Sequence, residues 1–236
     1  MFRVKICGLV NRADALAAVA SGADAVGCLV GVRHRAEDSV TPEAACSILA
    51  GLPRSVQKVV VTHMGRADAI FPLLHRINCS CLQLHDRISV EEICALKDGF
   101  PDVLILKALS VGARVSVEER ERLREEALSY ITCVDGFVLD SSDKEKDRIG
   151  GTGQPHDWAA SEALVPILGK PVILAGGLVP ENVIRAIEAV LPYGVDVNTG
   201  VEASCDRGTG RKDETRLRLF IQNARRALDR IHGCPP

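Results

Sequence analysis

The chain has 236 residues, the usual size of one closed α/β barrel and also within reach of two small domains. Hydrophobic residues make up 47% and aromatic residues 3%, a balance that fills a large aliphatic core and disfavours a sandwich rich in Tyr and Trp. The formal net charge is −2 with both signs spread along the chain, so no basic block marks a surface for nucleic acid or an anionic membrane.

No apolar stretch reaches transmembrane length, and the opening MFRVKICGLV lacks the order of basic, apolar and small residues of a signal peptide. A cytoplasmic protein is expected, with no membrane partner. The 9 cysteines are an odd count, and most lie in apolar runs, as Cys28, Cys94 and Cys133 do; they read as buried reduced thiols. Cys79 and Cys81 have no matching pair downstream, and His34, His63, His75, His156 and His232 form no metal-binding spacing, so no metal site is expected.

In chain order, short apolar runs alternate with segments of helical period. Phe2–Ile6 precedes a helix over Arg12–Ser21; Ala25–Val30 precedes Pro42–Ala50; Gln57–Val61 precedes Arg66–Arg76; Cys81–Leu84 precedes Val90–Lys97. The second half repeats this: Val103–Lys107 and Val117–Ser129, Gly136–Leu139 and His156–Leu164, Val172–Leu174 and Pro180–Val190, Val195–Val197 and Asp213–Ile231. Asn11 and Thr41, the latter followed by Pro42, stand where helix N-caps are needed. Strands that alternate with helices imply a parallel sheet, and this number of units closes a single (βα)8 TIM barrel. The open doubly wound alternative would show G-x-G-x-x-G after an early strand, where this chain has only Cys7-Gly8-Leu9. No linker divides the chain: residues 1–236 read as one domain, with the tail 233–236 disordered and Ser141–Pro155 a long loop over the site.

A barrel of this kind carries its site at the C-terminal ends of the strands. Those ends offer Cys7, the stretch Gly31 to Arg35, Thr62-His63, His85-Asp86, Lys107, Asp140, Gly176-Gly177 and Asn198 to Glu202. Gly176 and Gly177 let backbone approach an anion closely, and Asn198-Thr199-Gly200 offers amides and a hydroxyl at the next strand end. Two such turns at neighbouring strand ends point to a phosphate, with Gly153 of Gly150-Gly-Thr-Gly153 as a hinge or a second anion nest.

Lys5-Ile-Cys-Gly-Leu9, Gln83-Leu-His85, Leu139-Asp140, Gly150-Gly-Thr-Gly153 with Asp157-Trp158, Leu174-Ala-Gly-Gly-Leu178 with Glu181-Asn-Val183, and Asp196-Val-Asn-Thr-Gly-Val-Glu202 with Lys212-Asp213 run in one order along the chain. Together they resemble the phosphoribosylanthranilate isomerases of tryptophan biosynthesis. The resemblance implies an Amadori rearrangement of N-(5'-phosphoribosyl)anthranilate to 1-(2-carboxyphenylamino)-1-deoxyribulose 5-phosphate, without a cofactor. It implies Asp140 as the acid that protonates the ring oxygen and Cys7 as the base that removes the C2 proton. Lys5, two residues before Cys7 and on the same side of its strand, reads either as a group that polarises the thiol or as one that only lines the barrel. An apolar surround or a carboxylate such as Asp196 would keep Asp140 protonated. Asp196 and His85 are further candidates for holding substrate. Asp196 and Glu202 are also read as partners of Lys5 and the barrel base.

The sequence departs from the family where the non-phosphate half of the substrate would bind. The usual Ser-Pro-Arg after the second strand is replaced by Gly31-Val-Arg-His-Arg35, leaving Arg33 and Arg35 as carboxylate-binding candidates. Asp86 follows Gln83-Leu-His85 where glycine is common. A paralogous phosphosugar isomerase, epimerase or lyase with a different non-phosphate group therefore stays open, as does a non-catalytic phosphometabolite binder. The expected partner is a small phosphorylated molecule, with no nucleic acid, and the chain is read as a monomer or a homodimer.

Overall fold

A computed structural model describes residues 1–32, 38–143, 148–149, 156–203 and 210–233, with backbone alone at 142–143 and 148–149. In chain order the elements are β1 (Val4–Ile6), α1 (Arg12–Ala20), β2 (Ala25–Leu29), α2 (Pro42–Leu49), β3 (Gln57–Thr62), α3 (Ala67–Arg76), β4 (Cys81–Leu84) and α4 (Val90–Gly99). There follow β5 (Leu104–Val111), α5 (Val117–Tyr130), β6 (Gly136–Asp143), β7 (Arg148–Ile149), α6 (Trp158–Leu168), β8 (Val172–Leu174), α7 (Val183–Val190), β9 (Gly194–Val197) and α8 (Glu214–His232). The strand order β5-β4-β3-β2-β1-β9-β8-β6 closes on itself through β5–β6, and every pairing in that ring is parallel. This is the closed eight-stranded parallel barrel that the alternation of runs predicts.

The strands are apolar on both faces because each has the barrel interior on one side and helices on the other. On β1, Val4 and Ile6 join the outer core beneath the helices, while Cys7 belongs to the interior with Ala25, Val59, Cys81, Leu106, Val138 and Ile173. The helix starts are fixed locally. Asn11 accepts from the Asp14 N–H, Thr41 from Ala44 with Pro42 in the first turn, and Ser116 forms a capping box with Glu119. Each such cap contributes about 1 kcal/mol.

Two strands run further than their apolar runs suggest. The β5–β6 pairing continues through Leu109↔Leu139, Ser110↔Asp140 and Val111↔Ser141. The long loop expected after Asp140 then begins as a hairpin, with β7 antiparallel to β6 through Ser142↔Ile149 and Asp143↔Arg148. Backbone pairing holds these segments extended although Ser and Asp conceal the strand pattern. Helix α6 starts later and ends later than expected. Asp157 is its N-cap, accepting from Ala159 and Ala160, and Pro166 is carried within it.

Two smaller expectations need correction. Cys94 is exposed on α4, unlike the buried Cys28 and Cys133; all described cysteines are free. Gly233, expected in a disordered tail, closes α8 as a left-handed cap at φ 70°, and residues 234–236 lie outside the described residues. Among the described residues no helix is long and apolar enough to cross a membrane.

Candidate active site

The strand ends gather a polar cluster above the apolar floor. Lys5 is fully buried on β1, directly in register with Asp196 on β9. Its Nζ lies 2.5 Å from Asp196 Oδ2 and donates to Gln83 Oε1 at 2.9 Å. Gln83 Nε2 faces His85 Nδ1 at 3.4 Å, and His85 Nε2 faces Asp140 Oδ2 at 3.6 Å. The ring of His63, at the end of β3, stacks on His85 with 5.2 Å between centroids. Asp196 Oδ1 is buried without a hydrogen-bond partner among the described residues.

Cys7 follows β1, its N–H bonded to Val197 O at 2.8 Å. Glycines make room for it. A Cβ on Gly27 of β2 would lie 3.2 Å from Cys7 Sγ and 2.9 Å from Lys5 Cε. Gly8 turns the chain at φ 65°, and a Cβ there would meet Asn198 Oδ1 at 2.2 Å.

Burial dominates the electrostatics. It pushes the Cys7 thiol up to about 11; the Lys5 ammonium draws it back only in part, and Asp196 opposes that pull. The expected polarisation by Lys5 is therefore real but outweighed, and the ligand-free site holds a thiol. Burial, reinforced by Asp196, lifts Asp140 to about 7, against the Ser141 N–H that donates to its Oδ1 at 2.7 Å. Burial also works against a charged Lys5, but Asp196 and Cys7 outweigh it and hold the ammonium. Burial, then Lys107 and Lys5, drives His85 down to about 4. The 3.6 Å approach of His85 to Asp140 is thus a neutral imidazole facing a carboxyl group, not an ion pair.

The two glycine turns meet beside this cluster. Gly176 and Gly177 both take left-handed backbone, φ 77° and 63°, and a Cβ on Gly176 would strike Ser141 N at 2.4 Å. A Cβ on Gly200 would fall 1.8 Å from Leu178 O, so the turn after β9 seats directly on the turn after β8. Asn182 holds the first turn by accepting from Val179 N and donating to Gly177 O. The second is a short 3-10 turn, Thr199–Val201. Asn198 is committed elsewhere: its amide donates to Asp38 Oδ2 at 2.5 Å, and Lys212 Nζ donates to its Oδ1 at 2.8 Å. These bonds occupy the Asn198 side chain and do not involve its backbone N–H.

Several sequence assignments change. Glu202 pairs with Lys212 at 3.5 Å beyond the end of β9, not with Lys5 or the barrel base. Lys107 lies on the outer face of β5, its Nζ over the Tyr130 ring of α5, because it shares strand parity with Ile105 and Leu109. His156 is buried against Ser161 Oγ at 2.7 Å, a packing role. Arg33, Arg35 and Gly153 lie outside the described residues. Sequence reasoning gave no role to Gln83, Asp38, Gly27 or Lys212; their partners are up to 198 residues away in the chain, as in the bond from Lys212 N–H to Asp14 Oδ2, and no local pattern signals such contacts. Among the described residues, no group of His, Cys, Asp and Glu is gathered to hold a metal ion.

The model of the N-(5'-phosphoribosyl)anthranilate (PRA) isomerase family matches residues 4–223. N-(5'-phosphoribosyl)anthranilate isomerase 2 of Methanosarcina mazei is 36% identical over 231 residues, 98% of this chain and 97% of that protein. The crystal structure of phosphoribosyl anthranilate isomerase from Thermotoga maritima is 35% identical, covers 95% of this chain and 99% of that one, and superposes with a TM-score of 0.79. A phosphoribosyl anthranilate isomerase solved in complex with reduced 1-(o-carboxyphenylamino)-1-deoxyribulose 5-phosphate is 33% identical at a TM-score of 0.74, with 95% and 99% of the two chains covered. On this match along almost its whole length, the chain belongs to the N-(5'-phosphoribosyl)anthranilate isomerase family, and is an isomerase.

Proposed function

We propose that this chain isomerises N-(5'-phosphoribosyl)anthranilate with Asp140 as general acid and Cys7 as general base. The observation that carries the reading is one cluster holding a carboxyl lifted to about 7 and a thiol close to a buried ammonium, next to two interlocked glycine turns. Asp140 gives its proton to the furanose oxygen as the C1–O bond breaks and the nitrogen lone pair forms the C=N bond. The product of this step is an open, cationic Schiff base and an Asp140 carboxylate. The cation acidifies the C2–H, and the Cys7 thiolate takes that proton while the C–H pair moves toward nitrogen. The enolamine then tautomerises to the ketone. A carboxyl near 7 is protonated often enough to start this sequence and weak enough as a base to release its proton.

The substrate phosphate is assigned to the backbone N–H groups of Gly176, Gly177, Asn198, Thr199 and Gly200 and to the Thr199 hydroxyl, with Gly153 as a further candidate. Asp196, with one oxygen open among the described residues, is assigned to a substrate hydroxyl. Arg33 or Arg35 is assigned to the anthranilate carboxylate. The chain is taken as one barrel domain acting in the cytoplasm on a small phosphorylated substrate, as a monomer or a homodimer.

The test is direct. Purified protein should consume freshly prepared phosphoribosylanthranilate, seen as loss of its fluorescence. Binding of the substrate without loss of fluorescence contradicts the reading and favours a non-catalytic binder. Turnover of other phosphosugars, but not of this one, favours a paralogue with a different non-phosphate group.

A further inference from the structure

The donors and acceptors that link Lys5 to Asp140 have only one consistent arrangement. An ammonium has three donors and no acceptor, so the Gln83 atom 2.9 Å from Lys5 Nζ is the amide oxygen. The Gln83 amide nitrogen then faces His85 Nδ1 at 3.4 Å. An NH2 group only donates, so Nδ1 must accept. Because His85 is neutral, its proton sits on Nε2, the nitrogen that faces Asp140 Oδ2. Stacking on His63, with 12° between the ring planes, keeps the imidazole in that orientation.

The consequence falls on Asp140. Its Oδ1 accepts from the Ser141 N–H at 2.7 Å, and its Oδ2 faces the His85 N–H at 3.6 Å, a separation that substrate closure can shorten. Both oxygens meet N–H groups, so the acidic proton points to neither neighbour and stays available to the pocket. In the other tautomer, the Nε2 lone pair would accept that proton and hold it away from the substrate.

We propose that Gln83 is a positioning residue of the reaction: anchored by the Lys5 ammonium, it sets His85 as the Nε2–H tautomer and thereby keeps the proton of Asp140 for the substrate. This rests on Asp140 acting as the acid. The charged and titratable groups that bear on His85 and Asp140 are Lys5 from β1, His63 after β3, Asp86 after β4, Lys107 from β5 and Asp196 from β9. Of these, Lys5 donates to the Gln83 oxygen and so orients the amide, and the substitutions below leave all five in place.

The experiment begins with the tautomer of His85 in the unmodified, ligand-free protein, read from its imidazole nitrogens by two-bond proton–nitrogen NMR at pH 7. The expected state is protonated Nε2 with a bare Nδ1. A protonated Nδ1 with bare Nε2 overturns the proposal, and no variant has to fold for that result. Next, Gln83→Glu presents a carboxylate oxygen to Nδ1 and should protonate it, while Gln83→Met removes the orientation without adding charge. Both should lower kcat by about 100-fold, the lower end of what a positioned acid contributes, with KM changed less than threefold and the far-UV spectrum retained. Equal kcat in Gln83→Met and the parent overturns the proposal. If Asp140→Asn keeps full turnover, the acid assignment fails, yet the tautomer reading still stands or falls by the NMR result alone.

Discussion

Lys5 Nζ and Asp196 Oδ2 lie 2.5 Å apart in the barrel interior, joined by neighbouring strands that pair these two residues directly. The pair is buried, and each partner neutralises a charge that the interior would otherwise expel. Lys5→Met should therefore cost about 3–5 kcal/mol in urea unfolding at pH 7, by leaving a carboxylate buried and unpaired. It should also push the Cys7 thiol higher, since Lys5 is the largest influence drawing that thiol down. The fall in kcat should exceed what any change in folded fraction explains.

The pH dependence follows from the acid near 7 and the thiol near 11. The active form needs the carboxyl protonated and the thiol ionised. Below pH 7 the carboxyl is protonated, and the thiolate fraction grows tenfold for each pH unit. Above pH 7 the loss of acid cancels the gain in thiolate. In stopped assays, log kcat/KM should rise with a slope of about one up to about pH 7 and then stay level into the alkaline range. A maximum at pH 5 would contradict this ordering of the two groups.

Asp140 should also weaken the fold. Its folded-state pKa of about 7 lies above the unfolded carboxylate value of ~3.9. Below pH 4 both states are protonated and no difference arises. As pH rises to 7, the unfolded chain ionises while the folded one resists, so stability is lost across that window and the loss is constant above it. Asp140→Asn should thus be more stable than the parent by roughly 2–4 kcal/mol at pH 8 and about equal to it at pH 4. Chemical unfolding at the two pH values measures this.

The phosphate assignment predicts a separate pattern. In Gly200→Ala the new Cβ would fall 1.8 Å from Leu178 O, so the two turns must part. KM and the dissociation constant for inorganic phosphate should both rise by at least about tenfold, with the ionisation of Cys7 unchanged. In Gly176→Ala, a methyl 2.4 Å from Ser141 N in a left-handed backbone should lower kcat as well, because Ser141 carries the N–H that faces Asp140.

Much of this was legible in the sequence, for identifiable reasons. Cys81–Leu84 and Val172–Leu174 are strands with the bounds read from their apolar runs, because both lie wholly inside the ring. The reading stopped short on β5 and β6, where the pairing extends into Ser110, Asp140 and Ser141 and hydrophobicity no longer marks the strand. Cys7 and Asp140 do lie at strand ends, as their positions after the apolar runs Phe2–Ile6 and Gly136–Leu139 indicate. Asn198 was legible as a strand-end residue but not as a side chain already held by Asp38 and Lys212, a contact only closure of the barrel creates. Glu202 was misplaced for the same reason: its partner, Lys212, arrives from the start of α8.

The most direct test of Cys7 and Asp140 as the catalytic pair is the turnover of phosphoribosylanthranilate, followed by its fluorescence, in Cys7→Ala and Asp140→Asn beside the parent at pH 7. The expected result is a loss of ~100- to 10,000-fold in kcat for each variant, with the substrate still bound. Turnover at the parental rate in either one would contradict the account.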